Sequence, residues 1–235
     1  MRLVSIPAVT LVVIASIVVA LSKLSIAAAS DDIPVLVPPV PVLERVSFPV
    51  TLEGIASYYA HAFHGKRTAH GTRFNMHDFT AAHRTLPFGT ILRVTNPATD
   101  ECLLVQINDR GPYVKRRVLD LSYAAANALN LKLGRVRAEG FRPDDITQDS
   151  LAVLFIGKQY EPYRAELHAF EIIEQFENFS LALRFHRMHI ADESVALAVI
   201  PATGSGDQSP TLRYAVVRLS PLALRAEDSV AAVAP

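Results

Sequence analysis

The apolar residues of this chain are distributed in three different ways. Residues 3–22, LVSIPAVTLVVIASIVVALS, form an almost unbroken run of about twenty, long enough to span a bilayer. From Gly54 the runs become short and alternate with polar residues: GIASYYA, TILRVTN (Thr90 to Asn96, ended by Pro97), CLLVQIN, RVLDLS and RVRAEGF. Each predicts a strand. Before the last of them, Ser122 stands at an N-cap position ahead of YAAANALNL, which predicts one short helix. Beyond residue 142, SLAVLFIG, SVALAVIP and TLRYAVVRLS predict further strands. RAELHAFEIIEQFENF predicts an amphipathic helix with Glu171, Glu174 and Glu177 along a solvated face. ATGSGDQSP (Ala202 to Pro210) predicts a loop, and RAEDSVAAVAP a frayed end. The fold class expected is mainly β: a small barrel of short strands with one helix over 54–141, then a small α+β module over 142–235.

The N-terminal run has the flanks of an export signal. Arg2 precedes it, Lys23 follows, and Ala27-Ala28-Ala29 offers an A-x-A cleavage site before Ser30. Residues 1–29 are therefore a secretory signal or, if uncut, an N-terminal membrane anchor. Both outcomes put the remainder outside the cytoplasm, in the periplasm or cell envelope. No cysteine follows the run at once, which excludes a lipid-modified N-terminal Cys. Residues 30–53 are a proline-rich linker. Five prolines in DDIPVLVPPVPVLERVSFPV (31–50) fix φ and remove donors, so an extended spacer is expected.

Composition adds less. Half of the 235 residues are hydrophobic, enough for a sizeable core. The formal net charge is zero, which argues against nucleic acid as the main partner. That zero conceals a split: residues 54–141 carry 12 Lys+Arg against 6 Asp+Glu, and residues 142–235 carry 8 against 13. A cationic middle suits a carboxylate-bearing substrate such as a cell-wall polymer, and it equally describes a solvated basic face. The single cysteine, Cys102, forms no internal disulfide and reads as a small buried hydrophobe. Five of the eight histidines fall in residues 61–83 (His61, His64, His70, His77, His83), but their spacing fits no zinc pattern. Neither a metal site nor a cofactor is expected.

The candidate chemistry lies in INDRGPYVKRRVLDLS, Ile107 to Ser122. Asp109 follows an apolar strand and precedes Arg110, Gly111 and Pro112. It is either an Asx-type turn residue or a reactive carboxylate. Asp120, between apolar neighbours and ahead of the helix, is a structural or substrate-groove residue. Tyr58 and Tyr59 offer one ring to a sugar face and one to the core.

The segment GIASYYAHAFHGKRTAHGTRFNMHDFTAAHRTLPFGTILRVTNPATDECLLVQINDRGPYVKRRVLDLSYAAANALNL resembles the RlpA family, the rare-lipoprotein-A-like septal lytic transglycosylases, over residues 54–141. The shared motifs are A-S-Y-Y, F-H-G-x-x-T-A, T-A-A-H-x-T-L-P-F-G-T, V-x-I-N-D-R-G-P-Y and the D-L-S that opens the helix. The resemblance implies a six-stranded double-psi β-barrel. It implies an enzyme cleaving peptidoglycan glycan strands, chiefly those stripped of stem peptides, in wall remodelling or septation. It also implies Asp109 as catalytic acid/base, with His83 near it, and no cofactor. Family members typically read G-E-R-F-D where this chain has Gly71-Thr72-Arg73-Phe74-Asn75, and His70 replaces a usual Asn. Thr72 and Asn75 thus stand in for two family carboxylates in a segment expected to line the groove with Tyr58, Arg110 and Asp120. A second expectation follows: a wall-binding or wall-loosening barrel without catalysis.

Glycoside hydrolases ordinarily need two carboxylates. A lytic transglycosylase needs one, because the muramic 6-hydroxyl acts as nucleophile and leaves a 1,6-anhydro end. Asp109 would then act first as acid and later as base, beginning protonated. The Arg110 charge would oppose that unless it faces the other way, as neighbours on a strand do. A fusion of residues 1–50 to a reporter that works only after export is expected to be active; an inactive, cytosolic product would refute the export reading.

Overall fold

The computed structural model describes residues 43–59, 61–148, 151–202 and 212–221. The N-terminal apolar run, most of the proline-rich stretch, the loop after Ala202 and the end of the chain after Pro221 lie outside the described residues. Among the described residues no helix is long and apolar enough to cross a membrane.

The strands in chain order are β1 (Glu44–Arg45), β2 (Val50–Tyr58), β3 (Thr80–Ala82), β4 (Ile91–Asn96), β5 (Glu101–Asp109), β6 (Arg117–Leu121), β7 (Gly134–Phe141), β8 (Ala152–Ile156), β9 (Glu161–Ala165), β10 (Phe170–Phe176), β11 (Val195–Pro201) and β12 (Leu212–Leu219). The helices are α1 (Tyr123–Ala128), α2 (Pro143–Thr147) and α3 (Phe179–Met188).

Six strands close a barrel in the order β2-β6-β3-β5-β4-β7. The pairs β2–β6 and β3–β5 are parallel, the other four antiparallel. Apolar runs buried on both faces of the strands drive closure. Ile91, Leu92 and Val94 of β4, Leu103, Leu104, Val105 and Ile107 of β5, and Leu119 and Leu121 of β6 are all fully buried. Closure also demands a residue without a side chain at Gly140, where a Cβ would lie 1.9 Å from the Ile91 carbonyl oxygen. Ser122 caps α1 as expected, its hydroxyl accepting from the Ala125 N–H at 3.2 Å. Strand β3 was not expected: TAA is too short to show alternation, and its three residues are buried because strands flank it on both sides.

The second sheet is antiparallel in the order β1-β9-β8-β11-β12-β10. It corrects two expectations. The segment expected as a helix from Arg164 is instead the end of β9, a short 3-10 turn and β10. Pairing with β12, Phe170 opposite Leu219 through Phe176 opposite Tyr214, prevails over the helical spacing of the glutamates, and Ile172 and Ile173 favour it. The helix of this region, α3, begins later, at the Asn178 cap, whose side chain accepts from the Ser180 and Leu181 N–H groups. Secondly, residues 43–53 are not a spacer, for β1 extends the second sheet and β2 begins the barrel at Val50. The described part of residues 142–235 is an α+β region, holding α2, α3 and β8 to β12. Barrel and second sheet belong to one compact unit, and one core cluster joins Ile91, Leu103 and Phe141 to Phe155, Phe179, Leu197 and Val216.

An ion network clasps the two parts. Arg93 of β4 reaches Glu139 of β7 at 2.9 Å and Glu161 of β9 at 3.0 Å, with its guanidinium over the Phe48 ring. Arg45 closes on Glu161 at 2.6 Å. Cys102 is half-buried, its Sγ donating to the Lys158 carbonyl at 3.3 Å and the Gln159 side chain at 3.2 Å. Burial pushes this thiol up to about 11.

His186 of α3 is fully buried, 5.8 Å from the Tyr160 ring. Burial lowers its pKa to about 4. The unfolded chain, with an ordinary histidine near about 6.5, binds the proton first, so folding stability falls as pH drops below that value. Roughly 3 kcal/mol is expected to be lost by pH 4. Urea unfolding of the parent and of His186→Gln between pH 7 and 4 measures this, and the variant should show a flatter acid limb.

Candidate active site

The parallel pairing of β3 with β5 ends with Ala82 opposite Asp109, one residue before His83. The His83 N–H donates to the Asp109 main-chain carbonyl at 3.2 Å. The two residues marked from the sequence are therefore adjacent, each leaving the end of its strand.

The Asp109 side chain is held by three donors. Oδ1 accepts from the Ala69 and Arg110 N–H groups, both at 2.8 Å, and Oδ2 accepts from the Tyr59 hydroxyl at 3.0 Å. Burial, reinforced by the charge of Asp109 and the hydrogen bond to it, raises the Tyr59 pKa, so its phenol stays protonated and donates. The Tyr59 ring is wedged between Phe63 and Phe74, with centroids 5.4 and 5.1 Å away. Ala69 is presented by a tight loop. Thr68 Oγ1 bonds the Thr72 carbonyl at 3.1 Å and lies 3.2 Å from the Thr72 hydroxyl, while Gly71 takes the left-handed φ of 98°.

Asp120 faces the same region from β6. A Cβ placed on Gly111 would lie 3.9 Å from the Tyr59 hydroxyl and 4.0 Å from Asp120 Oδ2. Asp120 is buried and already bonded, accepting from Ser57 Oγ at 2.6 Å and pairing with Arg117 at 3.1 Å.

His83 is half-buried, and its Nδ1 accepts from the Thr85 and Leu86 N–H groups at 3.2 and 3.0 Å. That assigns the proton of the neutral ring to Nε2. Burial first, then the Arg110 and Arg84 charges, lower its pKa. The ring can donate from Nε2 and has no free nitrogen to accept a proton. Arg110 points its guanidinium to the His83 and Leu86 carbonyls, at 3.3 and 2.9 Å, and stacks it 3.7 Å over the Phe88 ring. Arg84 ties down the loop after Gly111 by donating to the Pro112, Val114 and Arg117 carbonyls at 2.6, 3.0 and 3.1 Å. Tyr113 on that loop is 80% exposed.

The other residues marked from the sequence lie farther out in the bonding pattern. Thr72 contributes through the loop that presents Ala69. Asn75 closes its own turn, accepting from the His77 N–H at 3.1 Å and donating to Asp78 at 3.0 Å. Tyr58 meets the Tyr123 ring at 6.1 Å and lines a crevice with Asn127, Asn130 and Lys132 of the α1 side. It is Tyr59, not Tyr58, that touches Asp109. Ala69, Arg84 and Tyr113 went unmarked, and Tyr59 was marked only as one of a pair. A loop donating a backbone N–H leaves no sequence signal, but the tyrosine pair did carry one, in the choice between its two rings. Among the described residues no group of three or more His, Cys, Asp or Glu side chains is gathered for a metal ion.

Comparison with known proteins bears on the barrel. The family model described as lytic transglycolase matches residues 51–140. The chain is 56% identical over 78 residues to the probable endolytic peptidoglycan transglycosylase RlpA of Synechocystis, covering 33% of this chain and 24% of that protein. It is 53% identical over 89 residues to the probable endolytic peptidoglycan transglycosylase RlpA of Aquifex aeolicus, 38% of each. It is 40% identical over 114 residues to the endolytic peptidoglycan transglycosylase RlpA of Pseudomonas aeruginosa, covering 45% of this chain and 33% of that protein. The chain thus spans well under half the length of these relatives. Among solved structures it is similar to Streptomyces papain inhibitor, at a TM-score of 0.33 and 20% identity, over 40% of this chain and 97% of that one. Residues 51–140 are thus a double-psi β-barrel domain that matches the lytic transglycolase family model. Within that type the barrel is RlpA-like.

The bonding pattern of His83 makes a direct prediction. Nitrogen-resolved NMR at pH 7 should show a neutral ring protonated at Nε2, titrating below an ordinary histidine. Because the folded pKa is depressed, its contribution to stability is present above the unfolded value of about 6.5 and declines as pH falls through it. Arg110→Ala should move the His83 midpoint upward; an unmoved midpoint would contradict the charge placement.

Proposed function

We propose that the protein is an exported lytic transglycosylase that cleaves peptidoglycan glycan strands, preferring those without stem peptides, and leaves 1,6-anhydro-muramic ends. The observation that supports this reading best is the state of the two carboxylates. Asp120 is buried and bound to Ser57 and to the Arg117 guanidinium, whereas the described partners of Asp109 are neutral N–H and O–H donors, which suits Asp109 better to gaining and losing a proton. A hydrolase of the two-carboxylate kind is poorly served by such a pair. A reaction in which the sugar supplies its own nucleophile is well served.

Asp109 Oδ1 is occupied by two N–H donors, so Oδ2 is the oxygen that carries the exchangeable proton. In the first half-reaction Asp109 gives that proton to the glycosidic oxygen as the C1–O bond breaks, and the muramic ring develops oxocarbenium character. In the second half the muramic 6-hydroxyl attacks C1 and returns its proton to Asp109. The Tyr59 hydroxyl steadies Oδ2 throughout. His83 acts as a hydrogen-bond donor from Nε2 rather than as a base. Tyr113, on the loop tied by Arg84, offers its ring to a sugar face, and Thr72 and Arg110 act indirectly by holding Ala69 and His83. The N-terminal signal or tether would keep the enzyme in the envelope, where wall remodelling or septation takes place.

Asp109→Asn keeps the shape and removes the acid. It is expected to lower the rate of anhydro-end formation by about 10²–10⁴-fold while glycan binding and thermal stability stay close to the parent. His83→Ala and Tyr59→Phe should each cost less, on the order of 10-fold, because they position rather than transfer the proton. Mass spectrometry of digested peptide-free strands measures all three. An Asp109→Asn protein that forms anhydro ends at the parent rate would end this reading. Parent protein that binds sacculi without cleaving would favour the non-catalytic wall-binding alternative, which the committed side chains of Thr72 and Asn75 make worth testing.

A further inference from the structure

The family match stops at residue 140, yet the described chain beyond it makes two polar contacts, one buried and one part-buried, at the entry to β3 and on β5, the strands that end at the active site. The first comes from α3. Ser180 is 2% exposed, and its Oγ accepts from the Phe79 N–H at 2.8 Å, at the point where the chain enters β3. Around it, Arg184 donates to the His77 carbonyl and lies 3.8 Å from Asp78, and Arg184 and Arg187 flank the Phe79 ring. The second comes from β12. The Tyr214 hydroxyl accepts from Gln106 Nε2 at 2.6 Å, and its ring stands edge-on to Phe179 of α3 at 5.5 Å. The two contacts meet inside the barrel, because the Gln106 N–H donates to the Phe79 carbonyl at 3.1 Å and Thr80 stands opposite Gln106 in the β3–β5 pair. A few residues along the same pair, Ala82 stands opposite Asp109.

We propose that the α3–β12 part of the second sheet is a brace for the active site, and that Ser180 and Tyr214 are positioning residues that set how β3 and β5 present His83 and Asp109. The physical ground is the shortness of β3. Three residues supply too few ladder bonds to hold a parallel pair in one register, and a parallel pair is the weaker kind per residue. The entry to β3 is therefore anchored from outside the barrel, by an acceptor for Phe79 and a partner for Gln106. The brace rests on the reading of Asp109 as acid/base, and its test has one arm that does not.

Full-length Ser180→Ala and Tyr214→Phe are compared with the parent. Ser180→Ala leaves the buried Phe79 N–H without its acceptor. Tyr214→Phe leaves the ring against Phe179 and removes only the partner of Gln106, so it is the variant that keeps the fold. In native-state hydrogen exchange, the Gln106 and His83 amides should exchange about 10-fold faster or more in each variant, while β2–β7 amides keep the parent rate. In cleavage, kcat should fall roughly 10–100-fold with KM within about twofold, as expected when a proton donor is misplaced rather than a binding surface lost. Equal acceleration of all amides, or none, would reduce the second sheet to a general stabiliser and overturn the proposal. So would local exchange that changes while kcat stays at the parent value. If the parent itself forms no anhydro ends, the enzyme reading fails, and the exchange arm alone decides whether the brace exists.

Discussion

One main-chain contact sets the geometry of the candidate site: the His83 N–H donating to the Asp109 carbonyl where the parallel strands β3 and β5 end together. Parallel strands that stop at the same level release their chains on the same side of the sheet. That is how two residues 26 positions apart in sequence become neighbours without touching through their side chains. The Asp109 carboxylate is then oriented from elsewhere, by the loop at Ala69 and the phenol of Tyr59. Backbone geometry brings the residues together; hydrogen-bond donors from distant segments choose how they face.

Positive charge near the site is handled in an unusual way for a cationic region. Arg84 and Arg110 bond main-chain carbonyls, three and two respectively, and Arg110 also stacks on Phe88. Guanidinium groups held by neutral acceptors keep their charge without a counter-ion. They act as struts for the loops around Gly111 and Leu86, and their field helps to keep His83 neutral. Part of the excess of Lys and Arg in residues 54–141 is therefore structural.

How much of this could be read in the sequence varied with the source of the signal. The barrel strands TILRVTN and CLLVQIN and the Ser122 cap appear where the sequence places them, because local chemistry and tertiary position agree there. β3 was invisible, since three residues carry no period and only flanking strands bury them. FEIIEQF misled for the opposite reason: glutamates three apart imitate a helix face, but pairing with β12 decides the backbone. At the site, Asp109 and His83 were legible through the resembled motif. Tyr59 was half legible, as one of two adjacent tyrosines whose division between groove and helix depends on where β2 ends. The donor from Ala69 was not legible at all, because a backbone N–H has no identity in a sequence.

The one thiol has a consequence if the protein works, as proposed, in an oxidising compartment. Cys102 is only half-buried, so oxidants and other thiols can approach it. Yet its Sγ donates to two oxygens, and burial pushes its pKa up to about 11. At pH 7 roughly one molecule in ten thousand then presents the thiolate that attacks a disulfide. Mixed disulfides and covalent dimers through Cys102 would form slowly for want of the reactive species, even where contact is frequent. A lone cysteine that could otherwise be a liability there is made chemically quiet mainly by burial of the thiol.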